Sequence, residues 1–482
     1  MKRLTLYIAV FMGMLTSVAC NEYLDKVPDN RTELDSKEKI AELLVNAYPK
    51  ANYFSFCEAM TDNVGDKGSG VTAKPLNTEP YFWKDFSIDG TDTPASYWDD
   101  CYNAIAHANV ALEAIDKLGN GNEYAAQRGE ALVCRAYAHF MLVTLFAKTY
   151  DASTAASDLG IPYVTEPEKV VIKSYKRETV AKVYELIEKD LTEGMALISD
   201  EFYKIPKYHF TKAAAAGFAS RFYLFKKDYE KVIKYADMAI GVNLASKLRN
   251  WNVYVTKSYY DLLKTYTLSS ESAILLLQET ISVWGREVQR YRYSLSSQKV
   301  DEFFVQKNVT GVKWIYPIYG DEKTSGIPKF EEYFKKLSVD ANTGYPMNMI
   351  PLLTCEEVLF NKLEAMVMSG QPASNILPLI NTFVISRVAT KDAAAANLTL
   401  DKIAQFYKKP TEKENLLACI LNLKQVDFIH EGMRWFDILR HKIEVTHKAE
   451  SGEVVTLKAN DLRRAIQIPQ KAINNGITPN PR

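Results

Sequence analysis

RGEALVCRAYAHFMLVTLFAKTY, Arg128 to Tyr150, is the stretch whose reading decides the fold. At a helical period it is apolar on nearly every side from Ala131 to Phe146, interrupted only by Arg135 and His139. Four residues apart, these two share one face. A helix apolar all round belongs inside a large domain. Arg135 is then a buried cation that needs carboxylate or carbonyl partners, and Asp427 or Glu431, far along the chain, is the expected carboxylate. No nucleophile, general base or phosphate loop accompanies the helix, so it reads as a structural hub and not as an active site.

Helices flank this hub on both sides. One starts near Ser36 and runs to Tyr48, where Pro49 stops it; a second spans about Ser96 to Leu118, with Trp98 on its core face. After the hub, Thr179 to Ile198 carries Val180, Val183, Ile187, Leu191 and Met195 on one stripe. Thr211 to Phe225 and Tyr229 to Ile240 are joined by a tight turn and rich in small residues, the pattern of a tetratricopeptide-like helix pair. A similar pair is expected at Leu352 to Met368 and Ser374 to Val388. The copies are few and irregular, which gives helix pairs in a globular domain and not a regular solenoid. Leu416 to Arg440 reads as one further helix, with i,i+3 pairs available among Glu431, Arg434, Asp437 and Arg440.

Two regions lack this periodicity. Asn52 to Asp92 reads as a long loop containing Gly65-Asp-Lys-Gly-Ser-Gly70 and the cluster Tyr81, Phe82, Trp83, and so long a loop is usually functional. Val242 to Pro351 is irregular and rich in aromatic residues, among them Trp251, Tyr254, Tyr259, Tyr260, Trp284, Tyr291 and Trp314, with one short strand expected at Ala273 to Leu277. It is the natural place for a variable, ligand-facing insertion.

Composition narrows the function. The 482 residues carry 59 Lys plus Arg against 59 Asp plus Glu, a balance that argues against nucleic-acid binding, which favours a basic surplus. Aromatic residues make up 12% of the chain, with 29 Tyr, and aromatic faces serve sugar and peptide binding. Lys2 and Arg3 precede an apolar run from Leu4 to Ala19 that ends at Cys20, the layout of a secretory signal. Cys20 after small residues resembles a bacterial lipoprotein cleavage and lipidation site, although Ser17 stands where Leu is usual. The reading is residues 1–19 as signal peptide, 20–35 as lipidated leader and 36–482 as one domain. The other five Cys are scattered, with no C-x-x-C pair, and are expected to be buried small hydrophobes rather than disulfides or metal ligands. Isolated His and the absence of H-E-x-x-H, G-x-S-x-G, Walker or Rossmann patterns leave no catalytic, metal or cofactor site to expect.

Taken in order, these segments resemble a known family. Glu22-Tyr-Leu-Asp25 after Cys20, WDDCYNAIAHANVALEAID from Trp98, the hub, IPYVTEPE, ETVAKVYELIEKDLTEGMALI from Glu178 and TKAAAAGFASRFYLFKKDYEKVIKYADMAI lead the series. LTCEEVLFNKLEAM from Leu353, HEGMRWFDILR and IQIPQKAINNGITPNP complete it. Their order and spacing are similar to the SusD/RagB nutrient-uptake lipoproteins of the Bacteroidetes outer membrane. The resemblance implies a mainly α fold of tetratricopeptide-like pairs in a single SusD-like domain, with a loop-rich insertion at about 242–351. It implies a non-enzymatic, surface-exposed lipoprotein that captures an oligosaccharide or other nutrient and delivers it to a TonB-dependent transporter of the SusC type.

The resemblance also gives Glu130, Arg135, Glu431, Arg434, Trp435 and Asp437 structural roles. It places the ligand among aromatic residues of the early loop and the insertion. By position and chemistry, Trp83, Trp284, Tyr291 and Trp314 are the expected stacking residues, with Asp62, Asn63, Arg286 and Arg290 supplying hydrogen bonds. The alternatives within reach of the same sequence are peptide or glycopeptide capture, a secreted glycoside hydrolase with a carboxylate pair across a cleft, and a helical scaffold for partner proteins.

Overall fold

The computed structural model describes residues 34–119, 121–169 and 174–482. Cys20, the signal segment and the Glu22–Asp25 leader lie outside the described residues. Lys37–Arg482 forms one unit and carries every element named here.

Four helices open it: α1 (Lys37–Leu44), the short α2 (Phe54–Ala59) and α3 (Pro75–Tyr81), and α4 (Pro94–Lys117). Thr93 caps α4 by accepting from Ser96 N at 3.2 Å, with Pro94 at the first helical position. The expected loop from Asn52 to Asp92 therefore holds two helices. Both are shorter than two full periods, too short to print an amphipathic pattern, and α2 is buried from end to end.

The hub is α5 (Ala125–Phe146), buried at every residue from Gly129 onward. By length and hydropathy alone it is apolar enough to cross a membrane, yet its apolar window is wholly buried within the protein. The partner of α5 is α6 (Val180–Leu197), capped by Thr179. The two helices meet at glycines: a Cβ on Gly129 would lie 2.8 Å from Gly194 O, and one on Gly194 2.8 Å from Gly129 O. Only paired glycines permit that approach. It also settles the partner of Arg135, which is not Asp427 or Glu431. Arg135 donates through Nε and Nη2 to Asp190 of α6 at 2.7 and 2.8 Å, and through Nη1 to Asn109 Oδ1 at 2.9 Å. Helix α6 carries Glu185, Glu188, Asp190 and Glu193, and only the packing of α6 on α5 decides which carboxylate faces inward. His139 stacks on Tyr163 at 3.8 Å and accepts from Val164 N through Nε2.

The pair α7 (Lys212–Lys226) and α8 (Tyr229–Ile240) turns at Lys227 in a left-handed conformation (φ 62°). Buried Arg221 of α7 binds Glu357 at 2.5 and 2.6 Å. Glu357 lies on α9 (Cys355–Met368), which is followed by α10 (Ala373–Ile385). The expected helix start at Leu352 moves to Cys355 because Leu352 to Thr354 complete a strand. That strand, β5 (Gly344–Thr354), is the centre of an antiparallel sheet of order β2-β5-β4, with β2 (Ile274–Ile281) and β4 (Glu332–Lys336) at its edges. Ile274 faces Thr354 and Ile281 faces Met347.

The expected helix Leu416 to Arg440 is two helices, α11 (Glu412–Asp427) and α12 (Met433–His441). His430 (φ 77°) and Gly432 (φ 67°) break it. Buried Glu58 accepts from both freed N–H groups, His430 N at 2.8 Å and Gly432 N at 2.9 Å, so a carboxylate from α2 does the work of a helix cap. Past the break, Arg440 pairs with Asp437 at i,i+3 and with Glu364. Arg434 turns instead to Asp62. Asp427 and Glu431 serve a separate buried network, binding Arg387 and Lys329 respectively.

Candidate functional site

The early segment and the middle of the chain are joined by a small piece of sheet. β1 (Gly65–Asp66) pairs antiparallel with β3 (Tyr293–Ser294), and Asp66 receives Arg292 at 2.6 and 2.9 Å. Burial would raise the Asp66 carboxyl, but Arg292 and the N–H groups of Glu450 and Gly68 hold it below its usual value. The next residue, Lys67, ties down two further loops. Its Nζ donates to Gln289 O at 2.8 Å and to Lys323 O at 3.0 Å. Burial pulls this amine down to about 8.

One of those loops is a turn closed by Tyr319 and Gly326, whose backbones exchange hydrogen bonds at 2.9 and 3.0 Å. Inside the turn, Asp321 Oδ1 accepts from Lys323 N, Thr324 N and Thr324 Oγ1. Facing it is the start of the short helix Tyr259–Tyr266, capped by Ser258. The Tyr259 ring lies 5.1 Å from Tyr319 and 5.4 Å from Tyr260, both edge to face. The Gln289 side chain and the charge of Arg290 both lie near enough to act on the Tyr259 hydroxyl. Tyr260 is 73% exposed and Tyr319 36%. A turn, a helix start and the segment at 289–290 thus converge on a platform of three tyrosines with Arg290 beside it.

The expected site residues do not assemble in this way. The expected exposed faces of four aromatics are buried. Trp83 is 4% exposed, in a left-handed conformation (φ 49°), donates from Nε1 to Met60 O and stacks on His447 at 4.3 Å. His447 stacks in turn on Tyr81, and Tyr81 on Tyr293, both at 4.1 Å. Trp284 donates to His430 O at 2.9 Å, at the helix break. Tyr291 packs beside Trp284, and Trp314 is buried against Tyr316. Asp62 is bound by Arg434 at 2.8 Å through both oxygens, and buried Asn63 bridges Glu58 and Gln425. Arg286 is half exposed and held by Glu332. Arg290 alone of the eight lies exposed at the platform. Large aromatic residues in irregular sequence are as useful for pinning loops to a core as for meeting a ligand, and sequence does not separate the two. Tyr259 and Tyr260 carried a signal as adjacent aromatics in irregular sequence; Tyr319, Lys67 and Lys323 carried none.

A cleft of about 940 Å³ lies elsewhere, between α4 and the C-terminal segment, lined by Trp98, Tyr102, Pro162, Lys471 and Ile477 among others. Its aromatic groups are already engaged: Trp98 is 5% exposed, and Tyr102 donates to Pro162 O at 2.9 Å. Among the described residues no group of three or more His, Cys, Asp or Glu is placed to hold a metal ion. Cys57, Cys101, Cys134, Cys355 and Cys419 are buried free thiols.

Comparison with known proteins agrees with this architecture. Residues 22–224 match a SusD-like family model described as starch-binding and associating with the outer membrane. SusD-like protein P2 of Formosa agariphila is 25% identical over 191 residues, 39% of this chain, and the match spans about a third (34%) of that relative's length. Among solved structures, a SusD superfamily protein from Bacteroides thetaiotaomicron superposes with a TM-score of 0.66 at 20% identity, over 93% of this chain and 100% of its own. A putative sugar binding protein from Bacteroides vulgatus gives 0.65 at 19% identity, over 93% and 99%. A SusD superfamily protein from the same organism gives 0.67 at 18%, over 92% and 99%. The fold is that of the SusD superfamily. Residues 22–224, somewhat under half of the chain, are similar to the SusD-like family.

Proposed function

We propose that this chain is a surface-exposed outer-membrane lipoprotein that captures an oligosaccharide on the Tyr259–Tyr260–Tyr319 platform and delivers it to a TonB-dependent transporter of the SusC type. The observation that carries the reading is the exposed aromatic surface of the middle region, to which the early segment is fastened by the β1–β3 pairing, the Asp66–Arg292 bridge and the Lys67 clasp. Flat aromatic faces suit the C–H faces of sugar rings, and the neighbouring polar groups suit their hydroxyls. Arg290 is kept as a ligand contact. Trp83, Trp284, Tyr291 and Trp314 are buried and pack the fold. The role is capture without chemistry. Two carboxylates of the segments that carry the platform are already engaged, Asp66 by Arg292 and Asp321 by its own turn.

The test is a binding screen of the chain from Asn21 onward against polysaccharides, oligosaccharides and peptides, with hits titrated by calorimetry. Tyr260→Ala and Tyr319→Ala are each expected to weaken a saccharide hit about 3- to 10-fold, the equivalent of one lost stacking contact. Saccharide binding untouched by both would discard the platform. Binding of peptides alone would replace oligosaccharide capture with peptide capture. Delivery is tested separately, by co-purifying the lipoprotein with a barrel transporter from native outer membranes.

A further inference from the structure

Around the platform the charged groups are unevenly satisfied. Arg292 has Asp66, Arg286 has Glu332, and Lys74 has Glu287. Arg290 is exposed and has no ion-pair or side-chain hydrogen-bond partner among the described residues, and the same holds for the ammonium of Lys323. The carbonyls of Gln289 and Lys323 share one ammonium, that of Lys67, at 2.8 and 3.0 Å, so the backbones that carry Arg290 and Lys323 are clamped side by side. Lys323 follows Asp321 and Glu322 on its turn, and those two carboxylates offset its charge. Arg290 has no such neighbour on its own segment closer than Glu287, which Lys74 already binds. The result is an open guanidinium beside Tyr259.

An unpaired guanidinium next to an aromatic platform is a specific recognition element. Its planar fork binds a carboxylate through two parallel N–H···O bonds, a geometry a hydroxyl does not match. We infer that the platform's ligand is an acidic saccharide, a uronic-acid-bearing oligomer whose rings lie on Tyr260 and Tyr319 and whose carboxylate is taken by Arg290. This rests on the capture reading above and adds the class of ligand to it.

The experiment compares oligomers of galacturonate, glucuronate and mannuronate with their carboxyl-reduced neutral counterparts, each titrated against the wild-type chain, Arg290→Gln, Arg290→Lys and Glu322→Gln. Arg290 is an exposed side chain, so its replacements are expected to fold; circular dichroism and the melting temperature check this. At least one acidic oligomer is expected to bind about 10-fold or more tightly than its reduced form, as befits a charge-assisted bidentate contact. Arg290→Gln should bring that ratio close to one by weakening the acidic oligomer more than its neutral counterpart. Arg290→Lys should restore only part of it, and Glu322→Gln should strengthen acidic binding alone. Raising salt should weaken only the acidic oligomer. Equal binding of acidic and reduced forms, or an acidic preference that survives Arg290→Gln, would overturn this inference and leave saccharide capture standing. Failure of every saccharide to bind would overturn both.

Discussion

Replacing Asp190 by Asn removes the charge that neutralises the hub. Arg135 and Asp190 have side chains only 9% and 6% exposed, and the guanidinium is bound through two nitrogens by one carboxylate. Asn109 Oδ1 and Thr165 O remain as its neutral acceptors, and Tyr163 loses the carboxylate to which its hydroxyl donates at 2.6 Å. Breaking a buried pair from one side costs about 3–5 kcal/mol, because a charge stays buried without its counter-charge. For a unit of Lys37–Arg482, an unfolding entropy of ~2.1 cal/mol/K per residue converts a loss near 4 kcal/mol into a fall of about 4 °C in Tm. Arg135→Met should cost a comparable amount by leaving Asp190 with Tyr163 alone. The double variant Arg135→Met/Asp190→Leu, which removes both charges, should be milder than the two singles added together by at least ~2 kcal/mol. The assay is urea unfolding followed by circular dichroism and tryptophan fluorescence on all four proteins, with reversibility checked by dilution. Singles that add to the double within ~0.5 kcal/mol would refute the argument, since they would show that the pair is energetically uncoupled.

Three more outcomes follow from the packing. Against burial, which raises it, the Glu364 carboxyl is held well below its ordinary value of 4.5 by Arg440 and His441. A depressed folded value contributes stability above the unfolded carboxyl's pKa and loses it as pH falls through the folded one. Stability should therefore decline below about pH 4.5, and Glu364→Gln should flatten that acid limb in urea titrations taken at several pH values. Gly432→Ala should destabilise by about 2–4 kcal/mol, read as a drop in urea midpoint, because φ is +67° and the new Cβ would sit 2.8 Å from Cys57 Cβ. Trp83→Ala should cost about 3–5 kcal/mol of stability while the folded protein keeps its saccharide affinity, whereas Tyr260→Ala should lose affinity with less than ~0.5 kcal/mol of stability.

These contrasts mark what reading the chain alone is able to reach. The hub was legible because a helix apolar on every side has one favourable environment, the interior. The helix pairs at Lys212–Ile240 were legible because period, caps and turn are local properties. Locally encoded signals also reached the five buried thiols and the strand at Ile274. The partner of Arg135 was not legible, since α6 offers several carboxylates and the Gly129–Gly194 contact chooses among them. Nor was the break at His430–Gly432, whose freed N–H groups are satisfied by Glu58, more than 370 residues earlier.

The site divides along the same line. Aromatic residues in irregular sequence pointed to the two regions that the β1–β3 pairing joins. Which rings turn outward was decided by tertiary structure alone. Trp83 and Trp284 find backbone carbonyls for their indole N–H groups inside the fold, and a buried indole is stable only with such a partner. Tyr260 and Tyr319 sit at a helix start and on a turn whose backbone groups are bonded locally, so their rings are left to solvent. Sequence determines which residues prefer to be buried or helical, because those preferences act over a few residues. The pairing of distant segments through single contacts, such as the Lys67 ammonium between Gln289 and Lys323, exists only once the chain has closed on itself.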